Sequence, residues 1–220
     1  MAALGQLLTS TATFWRAFRE YFGTIRWRRR TPVTNRDALR EFLQTRASHV
    51  AQYSLYGYLR TRAGTRFPEL FENDTFLVSI NIAKWHIWLA CLSDLAVYAG
   101  GLLCQRTRTP SRDIGALMSA LVDSILTDTG VPDEAGDEFP QHANRVRARL
   151  AVCDWSAVPD DETAFSESPS ALVYWAPVVD QLKQLDEAIV RNSVRFRWQD
   201  VRRELRRELD ADAVVAADPS

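Results

Sequence analysis

Apolar residues recur at intervals of three and four along most of this chain. No run alternates at every second position between hairpin turns, so the pattern predicts helices and no sheet. Over residues 9–30, Phe14, Phe18, Tyr21 and Ile25 share one side, with Trp15 and Phe22 beside them. The proline in "RTPV" closes that segment. Thr34 and Asp37 have the spacing of a capping box for a second helix, which runs to about Arg62. Its inner face reads Leu39, Phe42, Leu43, Val50, Ser54 and Tyr58. A strongly apolar helix follows over residues 74–103, and Thr109–Pro110 opens another that Gly130 ends. "QHANRVRARLAVCDW" reads as a shorter helix. Ser168 and Pro169 start a last helical region, which Pro177 divides. The long helix after it has Leu182, Leu185, Ile189, Ser193 and Phe196 as its expected inner stripe, continued by Leu205. The expected fold is all-α: one bundle of six or seven helices around a central apolar helix. Residues 1–33 are expected to form an amphipathic N-terminal helix, 34–209 the helical domain, and 210–220 a disordered tail.

The most hydrophobic stretch, "INIAKWHIWLACLSDLAVYAGGLL", carries Lys84, His86 and Asp94. It is long enough to cross a bilayer, but Asp94 would lie near the middle, where an unpartnered acid is costly. A helix apolar on all sides is better explained as a core helix sheathed by its neighbours. Lys84 and Asp94 are then expected to find partners on other helices. They cannot pair with each other, since ten residues separate them by about 15 Å of axis. Arg46, Arg60 and Arg62 are candidate partners for Asp94, and the acids of 69–74 for Lys84. Two readings stay open: internal salt bridges that fix helix register, or a polar pocket near Lys84, His86 and Asp94. "AGG" at 99–101 reads as a close helix contact or a helix end.

Composition changes the picture in two places. The net charge is −1, yet residues 1–66 sum to +9, residues 67–190 to −11 and residues 191–220 to +1. Basic ends that fold back onto an acidic middle explain this, and a basic surface for phosphates or an acidic partner is the alternative. Cys91, Cys104 and Cys153 are odd in number and widely spaced, which argues against disulfides and structural zinc and for a reducing cytoplasm. No secretory signal is legible at the N-terminus.

Ser79, His86 and Ser93 share a face, but neighbours seven residues apart are about 10 Å apart along the axis, too far for a hydrogen bond. No G-x-S-x-G elbow, H-E-x-x-H, Walker loop or G-x-G-x-x-G is present, so no catalytic residue, metal or cofactor is assigned. His49, His86 and His142 fall on three helices. The first segment, "FWRAFREYFGTIRWRRR", joins a bulky aromatic face to arginines. That is the composition of a membrane-interface or partner-binding helix, through Trp15, Arg19, Arg26, Trp27, Arg28, Arg29 and Arg30, and it also suits core packing. The second basic stretch interleaves Glu204 and Glu208 with its arginines, which favours a solvated face and argues against nucleic acid.

Three segments, "QTRASHVAQYSLYGYLRTRAGTRFPELFE", "SINIAKWHIWLACLSDL" and "WAPVVDQLKQLDEAIVRNSVRFRWQDVR", resemble a helical, chiefly proteobacterial family whose members are often labelled esterase. That resemblance implies ester hydrolysis, with no residue to carry it. "KWHIWLACL" is similar to the central helix of the ubiquinol–cytochrome c chaperone family, which implies a helper in assembling a respiratory complex. The expected function is that of a non-catalytic accessory or assembly factor. It would act through a helical surface on a protein partner or an anionic membrane, in the cytoplasm or at the inner membrane face. An esterase-like hydrolase and a lipid- or quinone-binding bundle are the alternatives.

Overall fold

A computed structural model describes residues 32–216. The expected helix over residues 9–30 lies outside the described residues. Seven α-helices are described: α1 (Arg36–Ala63), α2 (Asp74–Arg106), α3 (Ser111–Thr129), α4 (Phe139–Ala151), α5 (Glu167–Trp175), α6 (Asp180–Glu208) and α7 (Ala211–Ala216). Two short 3-10 segments, Gly64–Arg66 and Pro68–Glu72, join α1 to α2. The fold is all-α, with α2 as its axis. α1 and α3 to α5 pack against α2, as does α7, and α6 packs on α1 and α5.

From Ala83 to Leu103 every residue of α2 is buried. By length and composition this helix could cross a membrane, but 94% of its most apolar window is covered by the rest of the chain. The glycines in "AGG" explain how neighbours come so close. A Cβ at Gly100 would lie 2.3 Å from the Trp155 ring, and one at Gly101 would lie 2.6 Å from Val158. Gly115 on α3 faces the other part of the same indole, at 2.8 Å. Trp155 is therefore wedged between two helices at positions where any side chain would collide.

Local signals set most helix ends, with small displacements. The cap of α1 is Asn35 rather than Thr34: its side chain accepts the Ala38 N–H at 2.8 Å. Asn73 does the same for α2, accepting from Phe76. Gly130 ends α3 with φ of 64°, a left-handed conformation that favours glycine. The inner face expected for α1 is buried at all six positions.

Two expectations need correction. The inner face of α6 is Val190, Val194, Trp198, Val201 and Leu205. Leu185, Ile189 and Phe196 instead point outward, 75%, 72% and 67% exposed. Both sets have helical spacing, so periodicity alone does not choose between them. Residues 211–216, expected to be a disordered tail, form α7, whose Ala211 and Val214 are buried. A short backbone ladder fixes this end: Val33 donates to the Glu208 carbonyl, and Asp210 donates to the Val33 carbonyl.

Candidate functional site

The three ionisable groups of α2 enter three separate networks. Asp94 is fully buried. One carboxylate oxygen accepts from Arg149 of α4 at 2.7 Å and from the Glu167 N–H at 3.2 Å. The other accepts from the Ser168 N–H at 2.8 Å and the Ser168 hydroxyl at 2.7 Å. Those two N–H groups belong to the first turn of α5, which no nearby side chain caps. Asp94 thus caps α5 from another helix, with a charge that suits the dipole there. Arg149 also donates to Ser93 and to the Ala164 carbonyl, and Trp198 donates to Ser168. Burial pushes the Asp94 carboxyl above its usual range, opposed by Arg149 and Ser168. The partner is Arg149, not Arg46, Arg60 or Arg62. Arg46 pairs with Glu204 at 2.5 Å, and Arg62 pairs with Asp186.

Lys84 meets Glu134, at 2.5 Å, rather than an acid of 69–74. Glu134 lies in the loop before α4 and also accepts from the Trp85 indole at 3.2 Å. Burial pulls the Lys84 ammonium below its ordinary range, while Glu134 favours the charged form. The reading of internal salt bridges thus describes both Lys84 and Asp94.

His86 is the third case. Its ring stacks on Trp175 at 3.8 Å with 9° between planes. Its Nε2 lies 3.2 Å from the Ala135 carbonyl, and its Nδ1 lies 2.7 Å from Nδ1 of His142. The Arg145 guanidinium is 3.0 Å from His142 Nε2. These partners favour one set of protons, with the Glu138 carboxylate, 3.7 Å from His142 Nε2, opposing Arg145. A carbonyl only accepts, so His86 Nε2 carries hydrogen, and a guanidinium only donates, so His142 Nε2 is bare. His142 then donates through Nδ1 to His86 Nδ1, and both rings are neutral. Burial and the neighbouring His142 hold His86 down to about 4, and burial with Arg145 lowers His142. Trp175 also lines a surface cleft of about 460 Å³ with Ser79, Ile82, Pro177 and Lys183.

Sequence reasoning placed Lys84, His86 and Asp94 together, and the fold divides them. It missed Glu134 and Arg149, and it named His142 without pairing it with His86. A signal for two of these exists: His142 and Arg149 flank the apolar stripe Phe139, Val146 and Leu150 of α4. His49 stands apart from the histidine pair, beside Tyr53. Among the described residues no group of three His, Cys, Asp or Glu could hold a metal ion. The surface expected from Trp15, Arg19, Arg26, Trp27, Arg28, Arg29 and Arg30 lies outside the described residues.

What sequence reasoning placed inside the core is the most conspicuous surface feature. Leu185, Ile189 and Phe196 lie within about 40° of one another around α6, opposite its buried stripe. Tyr174 and Val179 are exposed just before it. The helix therefore has two apolar faces, of which the fold uses one.

Residues 164–214, under a quarter of the chain and comprising α5, α6 and most of α7, match the family model of the MIT domain of katanin p60 subunit A1. No curated protein and no solved structure matches the chain. MIT domains are protein-interaction modules, so the match is consistent with a protein partner in general.

Proposed function

We propose that this protein is an accessory or assembly factor that works by holding a protein partner against the outer face of α6. The observation that carries this reading is the exposed row Leu185, Ile189 and Phe196 on a helix whose opposite face already fills the core. Large apolar side chains grouped on one exposed helix face mark an interaction site. The match of the same segment to an interaction module supports the reading. So does the way Lys84, His86 and Asp94 are occupied by protein groups.

The test places a photocrosslinking residue at position 189 in the full chain, in the host cell, with a control at exposed Glu69. Adducts to one discrete protein from position 189 alone, lost when Leu185 and Phe196 become serine, are the expected result. Equal labelling from both positions, or adducts that survive the serine variant, contradict it. Adducts to lipid alone would favour the anionic membrane as the partner.

A further inference from the structure

We propose that the cleft between α1 and α6 binds a small organic anion whose negative group is carried on a flat apolar body. The cleft has a volume of about 360 Å³, in the range of small-ligand sites, and lies away from the outer stripe of α6. Tyr53, Tyr56 and Phe67 supply aromatic walls, while Arg60 and Arg197 bring guanidinium groups.

The neighbouring arginines show why these two matter. Along α1, Arg46 is matched by Glu204 and Arg62 by Asp186. Arg197 takes part in no ion pair among the described residues, its Nε has no hydrogen-bond partner, and its guanidinium lies over the Tyr53 ring at 5.8 Å. Arg60 is exposed at the rim and is likewise outside the ion pairs of the described residues. A half-buried cation without a counter-ion costs stability that an anionic ligand would return. Gln52 lines the same cleft and is 8% exposed; its amide nitrogen has no partner and is closed to solvent, so it meets a ligand only after the side chain turns. Donors without acceptors ask for oxygen, and the fork of arginine suits a carboxylate, sulfonate or phosphate.

Gly57 makes the space. A Cβ there would come within 3.2 Å of the Arg197 terminal nitrogen, so the bare backbone lets the guanidinium lie against α1. Burial lowers His49 nearby, with Arg46 and Arg197 adding to the shift and Glu204 opposing it. The aromatic walls then select for a planar body through stacking, with the anion directed to the arginines.

The probe is 8-anilinonaphthalene-1-sulfonate, titrated by fluorescence against the full-length protein. Uncharged N-phenyl-1-naphthylamine serves as the matched body without the charge. One saturable site per chain is expected, at least tenfold tighter for the anion. Arg197→Met, which keeps an unbranched stem, is expected to weaken the anion at least tenfold and to leave the neutral probe within twofold. Gly57→Ala is expected to weaken both. Arg60→Met provides a smaller loss at the rim and stands in if Arg197→Met lacks a native circular dichroism spectrum. Melting should be unchanged or raised in Arg197→Met, since an unmatched cation is removed. Equal affinity for the two probes, or anion binding unchanged in both arginine variants, would overturn the site.

Discussion

Asp94 puts a full charge at the centre of an apolar helix, and its four hydrogen bonds are the reason the fold tolerates it. Removing the carboxylate takes from Arg149 its buried acidic partner, leaving Glu167 at 3.3 Å, and uncaps α5 at the same time. Asp94→Ala is expected to lose about 3–5 kcal/mol of unfolding free energy in urea titrations, the range for breaking a buried pair. A loss under about 1 kcal/mol would show that the pair is dispensable. The histidine pair predicts a pH effect. His86 in the folded state is held to about 4, against an ordinary 6.5, so the unfolded chain binds more protons between those values. The His86 contribution should thus be constant above pH 6.5 and be lost as pH drops towards 4. His86→Gln should reduce that slope, measured as urea midpoints against pH. At residue scale the sequence showed that these charges needed partners, but not which. Glu134, His142 and Arg149 are brought up by tertiary packing, and no spacing along the chain encodes it.

Helix boundaries and the burial of α1 were legible because caps, glycines and a single apolar stripe act locally. α6 was not, because it carries two stripes and periodicity weighs them equally. Only the docking of α1 and α5 onto α6 decides which is core. The same contrast yields a measurement. Changing Leu185, Ile189 and Phe196 together to serine should move the unfolding free energy by less than about 1 kcal/mol, as for exposed sites. Trp198→Ala should cost about 3–5 kcal/mol. The reverse order would restore the face expected from sequence. α7 was missed because six residues offer too short a period. Its buried Val214 follows a bridge between Val33 and Leu209 that joins residues far apart in sequence. Gly100→Ala tests the helix contact from the other side. With Trp155 lying 2.3 Å from the added carbon, a loss of about 1–3 kcal/mol is expected from overpacking.

Across the whole molecule, the uneven charge resolves in part into pairs between basic ends and acidic middle. Arg40 meets Asp128, Arg62 meets Asp186, and Arg206 meets Asp160 at 3.6 Å. These partly exposed pairs contribute little each, so the fold rests on what surrounds α2. Residues 80–103 are sheathed almost throughout by the chain itself, and Lys84 and Asp94 are each met by another helix or loop. Amide hydrogen exchange of the full-length protein in detergent-free buffer tests it directly. Amides of 80–103 are expected to exchange only with global unfolding, at a free energy equal to that from urea titration. Fast exchange of this stretch in buffer, with protection gained only when detergent or lipid is added, would contradict it.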